Sequence, residues 1–365
     1  MSFDVKTCRR ELHRMPELGF DLPQTSSFIV KTLRSWGYEP LSIAQSGWLV
    51  TIPGDTSDIL MFRTDMDALP IKELNTHDFV STNGNMHACG HDAHMSMMLG
   101  LAHALKGKTF KQTIVLLFQP AEESPGGAKV VLEQLPFETS RVKGCFGLHV
   151  FPALEKHKLG TKPYGFMATN GEIDITVFGV SAHAGTPHLG KDAILIASSL
   201  LTSLQSIISR STNPLESKVL HIGVLNAGEV RNSVADTAHM QGTLRAFTQE
   251  GYLTLKSQIN QLIQSYEMMH EVKITCEIRD GYPVVTNDPQ LVNHCVSLFK
   301  DQLEIIPEVM LAEDFGFYTQ VMPSLFMFLG LGHPNTSLHS PTFDLDESVL
   351  ETGVQAYLNI IDSFQ

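Results

Sequence analysis

The chain has no long apolar run, no block of positive charge, no tract of low complexity and no internal repeat. Each absence removes a class of function. Apolar stretches such as Ile114–Phe118 and Ile59–Phe62 are strand-sized, far short of the roughly 20 residues that cross a bilayer, so no membrane role is expected. The first twenty residues, MSFDVKTCRRELHRMPELGF, scatter charge among isolated apolar side chains. They lack the apolar block of a signal peptide, and the expected compartment is the cytoplasm. With 26 Lys and Arg against 39 Asp and Glu, the formal charge is −13, and no basic cluster offsets it. That argues against binding nucleic acid or an anionic membrane. Cysteine is scarce: Cys8, Cys89, Cys145, Cys276 and Cys295 form an odd, scattered set. Such a set does not read as a disulfide framework, and most of these residues are expected to be small buried hydrophobes. Cys89 stands apart because of its neighbours.

What is present is ordinary globular composition, 43% hydrophobic and 18% charged, over 365 residues. That length exceeds one typical core, so two domains are expected. The first part alternates helix-like and strand-like patterns. Val5–Arg14, Gln24–Trp36 and Ala93–Leu105 read as helices; Ile59–Phe62, Thr113–Phe118 and Gly144–Val150 read as strands buried on both faces. This order predicts an α/β layer structure with a mixed, largely parallel sheet and helices on both faces. Near residue 170 the pattern changes. Glu172–Val180, Lys218–Leu225, Thr237–Ala246 and Val272–Arg279 read as strands, with helices at Asp192–Ser209 and Tyr252–Met269. The resulting βαββαβ order suits a small α+β domain with both helices on one face. Asp288–Asp301 then returns to helix and Ser324–Leu329 to a buried strand. The expected division is a catalytic domain of residues 1–169 and 285–365, with 170–284 inserted in it.

Four of the buried strands lead into residues of the types that bind metals. Asp65 and Asp67 follow the first, Gln119-Pro-Ala-Glu-Glu123 follows the second, His149 lies near the end of the third, and His339 lies beyond the fourth. In open α/β sheets ligands bind beyond the carboxyl ends of the strands. The loop HACGHD, residues 87–92, adds a Cys and a His two apart with a glycine between. A single thiol among imidazoles and carboxylates suits zinc first, with manganese, cobalt or nickel as alternatives, and does not suit a closed structural zinc site. Alone, each piece has a bland reading: a hydrogen-bonded strand-end His, or a solvated Glu-Glu pair. Their convergence on one sheet edge favours the metal reading.

At these residues the chain resembles the amidohydrolase branch of the dinuclear-metal aminoacylase and carboxypeptidase superfamily. The resemblance runs nearly end to end. It is carried by ELHRMPELG (11–19), TDMDALPI (64–71), MHACGHD (86–92), QPAEE (119–123), GLH (147–149), EDF (313–315) and LHSP (338–341). It implies two divalent ions held by Cys89, His91, Glu123, His149 and His339, with Glu122 as catalytic base and Asp67 orienting a ligand. It implies that the inserted domain is a lid that also makes a homodimer contact. There His183, in SAHAG, would polarise the amide oxygen, and Asn232 and Arg245 would hold the substrate carboxylate. The family usually has Gly-Gly where this chain has Ser181-Ala182, and often Asn-Val-Ile-Pro-Asp where it has Asn-Ser-Val-Ala-Asp (232–236). Neither departure removes a catalytic group. Within the branch, FRTDMD (62–67), QPAEESPGGAK (119–129) and EDFGFY (313–318) look most like the N-acetyldiaminopimelate deacetylases of lysine biosynthesis. The expected activity is therefore hydrolysis of the amide of a small N-acyl amino acid. The rivals are a hippurate or other N-acyl amino acid hydrolase, a metallocarboxypeptidase or dipeptidase, and a metal-binding scaffold without activity. Fold and metal site alone do not choose the acyl acceptor.

Overall fold

The computed structural model describes residues 3–333 and 337–365. By internal contacts the chain divides into two units, one of residues 1–166, 285–307 and 314–365, the other of residues 167–284 and 308–313. The expected division placed residues 308–313 in the first unit. They join the second because Met167 bridges Val309 and the Ala168 amide donates to the Leu311 carbonyl at 2.9 Å.

The first unit is built on a mixed sheet, eight-stranded among the described residues. Its order is 41–43, 47–52, 113–119, 59–65, 142–151, 324–330, 159–161 and 303–305. The four strands from 113–119 to 324–330 are mutually parallel, and their register sets Asp65 beside Gln119 and His149 beside Phe328. Every residue of Ile59–Asp65, Thr113–Gln119 and Ser324–Gly330 is buried. Continuous apolar runs form these strands because both faces are covered. Each fully buried Leu, Val or Phe then stabilises the unit by about 1.5–3 kcal/mol. The carboxyl ends of four strands therefore meet at one edge.

The helix His91–Leu105 is buried almost all round, where the sequence pattern put its apolar residues on one side. It packs tightly against the first and last helices: a Cβ on Gly100 would lie 2.8 Å from Val354 and 3.0 Å from Val5. The antiparallel strand Gly47–Ile52 and the closing helix Val349–Ser363 carry no assignment in the sequence reading.

The second unit is an antiparallel sheet in the order 273–280, 169–178, 237–246, 218–227. Ile173, Ile175 and Val177 alternate with polar neighbours, and the buried side of the sheet shares a core with Ile196, Leu200, Leu255 and Ile259 of its two long helices. The first of these, with its π turn, runs from Ala193 to Ser211 and is long and apolar enough to cross a membrane by length and composition. Its apolar residues Ile196, Ala197, Leu200, Leu204 and Ile207 are instead core of this unit.

Candidate metal centre and active site

The parallel register carries Asp65 to the end of its strand, and Asp67 two residues on turns back beneath the QPAEE turn. Its carboxylate accepts the Glu122 amide at 2.8 Å and the Glu123 amide at 3.1 Å. One side chain thus fixes the backbone of both glutamates. Ala121, just before them, has φ of 59°, a left-handed conformation that costs a non-glycine residue about 1–3 kcal/mol and is held by its surroundings. Gly127 is required nearby, since a Cβ there would lie 1.8 Å from the Pro120 carbonyl oxygen.

Gly90, with φ of 88°, lets the chain turn from Cys89 into the helix that begins at His91; a Cβ there would lie 2.5 Å from Val150. The His91 Nδ1 lies 2.8 Å from the Asp67 carbonyl, and the His149 Nδ1 lies 2.7 Å from the Val150 carbonyl. Each Nδ1–H is thereby committed to backbone, which leaves Nε2 as the free lone pair. The Cys89 Sγ sits 3.4 Å from the His149 Nε2 and 3.3 Å from the His339 Nε2. The His339 Nε2 is also 3.3 Å from the Glu123 Oε1. His91 Nε2 stands 3.9 Å from both the Glu122 Oε2 and the Glu123 Oε1.

The ligating atoms fall into two groups that share one thiol: Cys89, His91 and His149, and Cys89, Glu123 and His339, each within 4.8 Å. A third such group joins His91 to Glu122 and Glu123. The donor set fits a pair of divalent ions. His91 Nε2 is buried without a hydrogen-bond partner among the described residues. Burial pushes the Cys89 thiol well above its ordinary pKa, and Glu123 and Glu122 push it further. Burial holds His149 well below the usual imidazole value, with His94 adding to the effect, and burial lowers His91 too. Neutral imidazoles are ready ligands, while a thiol among carboxylates ionises only when a cation joins it.

Behind this shell lies a network that the sequence reading did not assign. Arg63 is buried and donates to Asp65 at 2.8 Å, to Asp314 at 2.7 Å and to Gln119 at 3.0 Å. Asp314 also accepts the Ala128 amide at 2.8 Å. His94 accepts the Val150 amide on Nε2 at 2.9 Å, so its Nδ1–H donates to Asp65 at 2.7 Å. Burial alone would raise the Asp65 carboxyl, but His91, His94 and Arg63 hold it well below the ordinary value. Both Asp65 oxygens thus accept from protein donors, whereas the His91 Nε2 has no hydrogen-bond partner among the described residues. Arg63 and Asp314 lie inside FRTDMD and EDF, stretches that carried the resemblance. The stretches are visible in the sequence, but which of their residues pair, and with what, requires the fold.

In the second unit, His183 bridges Ser233, and the Ala184 amide donates to the Asn232 carbonyl at 3.0 Å. His183 and Asn232 are therefore neighbours. The Gly185 amide donates to the His183 Nδ1 at 3.0 Å, which leaves Nε2–H of the neutral ring as a donor. Arg245 lies near the far end of the strand Thr237–Ala246. At about 3.3 Å per residue, roughly 25 Å of strand separates it from the His183 end. Its Nη1 donates to Thr243 at 3.1 Å, and its Nε is buried without a partner among the described residues. The structure brings two of the three expected lid residues together and sets the third apart.

Residues 61–363 match the model of Peptidase family M20/M25/M40. The chain is 35% identical over 372 residues to an N-acetyldiaminopimelate deacetylase of Leuconostoc mesenteroides, covering 98% of this chain and 97% of that one. It is 35% identical over 362 residues to the enzyme of the same name from Exiguobacterium sibiricum, covering 98% and 97%. Its fold is similar to that of the Bacillus subtilis YXEP protein, described as a dinuclear metal binding peptidase of the M20 family. The TM-score is 0.86 at 27% identity, over 98% of each chain.

Proposed function

The chain belongs to peptidase family M20/M25/M40, and on that premise we propose that it removes the acetyl group from the nitrogen of N-acetyldiaminopimelate. It is a metal-dependent amidohydrolase. The observation that carries the reading is the pair of adjacent glutamates whose amides share the Asp67 carboxylate, beside the thiol and imidazole cluster. A purely structural metal site needs one carboxylate ligand and has no use for a second at this position.

In this reading Cys89, His91, Glu123, His149 and His339 hold two divalent ions, with zinc first and manganese, cobalt or nickel as alternatives. Such ions, when bound, polarise an amide oxygen and acidify water. Glu122 accepts a proton from the attacking water as the new C–O bond forms. It returns that proton to the amine nitrogen as the C–N bond breaks, a contribution of about 10²–10⁴ in rate. Asp67 keeps Glu122 in place through the backbone. His91 and His149 are positioned by the carbonyls that hold their Nδ1–H groups. His183 donates from Nε2 to the developing oxyanion, Asn232 sits beside it, and Arg245 pairs with the substrate carboxylate.

The separation of Arg245 from His183 along one lid supports a homodimer through that domain. One small substrate cannot meet both from a single lid, and a second copy would supply the missing group. The edge strand Lys218–Ala227 leaves Val224 and Leu225 about two-fifths exposed, as an edge that pairs with another copy would.

The substrate assignment is tested by comparing acetylated, benzoylated and dipeptide substrates in one assay. N-acetyldiaminopimelate is expected to have the highest kcat/KM. Faster cleavage of hippurate or of dipeptides would overturn it.

A further inference from the structure

A second cluster of metal-ligand side chains lies in the first unit, outside the centre just described. His13, on the first helix, and Glu73 and His77, in the segment between the first core strand and the HACGHD loop, place one ligand atom each within 4.8 Å of the others. The Glu73 Oε1 is 3.1 Å from the His13 Nε2 and 3.2 Å from the His77 Nε2. A tetrahedral ion with bonds of about 2.0–2.1 Å holds its ligands roughly 3.3 Å apart; both separations lie near that edge length, and the His13 contact is also a hydrogen bond that an ion would replace. None of these residues carries a role in the hydrolysis.

Each ligand is backed by a partner that orients it. The His13 Nδ1 lies 2.8 Å from Asp92, which leaves Nε2 toward Glu73. The other Glu73 oxygen, Oε2, accepts the Ser81 amide at 2.7 Å, and Oε1 also accepts from Asn75 at 3.0 Å. His77 is fixed by stacking on Phe79 at 3.7 Å between ring centroids. A carboxylate behind an imidazole and a donor behind a carboxylate are the supports that tune metal ligands.

Hydrogen bonding alone leaves the cluster incomplete. Both ring nitrogens of His77 are buried without a hydrogen-bond partner among the described residues, despite the short approach to Glu73. A cation among the three side chains satisfies the His77 Nε2, the ring nitrogen that faces Glu73. We propose that His13, Glu73 and His77 form a third cation site, distinct from the dinuclear centre, which takes zinc or a similar borderline divalent ion. Two imidazoles and one carboxylate, without a thiol, define that ligand preference. The ion ties the first helix to the segment that precedes the HACGHD loop.

The test titrates metal-free chain with Co²⁺ and reads stoichiometry and absorption together. Wild type is expected to bind three equivalents, and His77→Ala and Glu73→Gln two each. The thiolate-to-cobalt band reports Cys89 and is expected to be unchanged in both variants, with hydrolysis of the N-acyl substrate retained. Equal stoichiometry in wild type and both variants would overturn the proposal. Failure of the dinuclear reading has a different signature: the thiolate band is missing, while one equivalent still depends on His77.

Discussion

At the scale of single residues, the division of labour between Glu122 and Glu123 follows from their surroundings. Both amides are held by Asp67, but the Glu123 Oε1 lies 3.3 Å from His339, a member with it of the thiol-sharing group. Burial would raise the Glu123 carboxyl; His339 and His91 beside it bring it below the ordinary value. That placement beside Cys89 and His339 supports the proposed ligand role of Glu123. Glu122→Gln is therefore expected to keep its metal content and lose at least ~10²-fold in turnover, the lower range for a general base. Glu123→Gln is expected to lose metal affinity as well, by dialysis and elemental analysis. Normal metal content and normal activity in both variants would remove the assignment. The pair is visible in the sequence, as are Cys89, His91, His149 and His339, because each sits at the end of a strand, beyond one, or in a loop with its own local signal, while their joint role in holding metal comes from the resemblance. The roles of Arg63, His94 and Asp314 are not visible there, because they are pairings across up to 251 residues. Nothing local distinguishes a buried, paired arginine from a solvated one.

At the scale of elements, the first helix shows the same limit. Its periodicity predicts an amphipathic helix, and Val5–His13 is one, capped by Asp4. Periodicity does not predict that Arg9 is buried, bonded to Asp92 at 3.0 Å and to Asp344 at 2.8 Å. Asp92 directly follows the metal-ligand candidate His91, so this pair anchors the start of the central helix. Burial alone would raise the Asp92 carboxyl, yet Arg9 and His13 hold it far below the usual carboxylate range. A carboxyl lowered in the folded state contributes stability above its unfolded value of about 3.9, and that stability is lost as pH falls further. In denaturant unfolding of the metal-free chain, Asp92→Asn is expected to cost about 3–5 kcal/mol near pH 7, as breaking a buried pair does. The gap to wild type should narrow as pH falls below about 4. Parallel curves for the two proteins from pH 7 to pH 3 would show that Arg9 and Asp92 do not stabilise the fold in this way.

At the scale of the whole molecule, the two-part organisation was legible because hydrophobic periodicity changes with the kind of sheet. Continuous runs mark strands covered on both faces, and alternation marks the antiparallel strands of the second unit. Short pieces escaped that signal. Leu159–Thr161 and Leu303–Ile305 span only 3 residues each, and residues 308–313 join the second unit through backbone contacts that no side-chain pattern announces. The arrangement of three second-unit residues also needed three dimensions: His183 and Asn232 meet through a bridge across the sheet end, while Arg245 lies a strand length away. The central claim joins these parts: side chains delivered by four strands and one loop hold metal, and without metal Glu122 has no activated water to deprotonate. It is tested most directly by measuring hydrolysis of an N-acyl amino acid by chelated protein whose metal content is verified by elemental analysis. The account predicts no turnover from the metal-free chain and recovery on adding Zn²⁺, Mn²⁺ or Co²⁺. Undiminished turnover by the metal-free chain would contradict it.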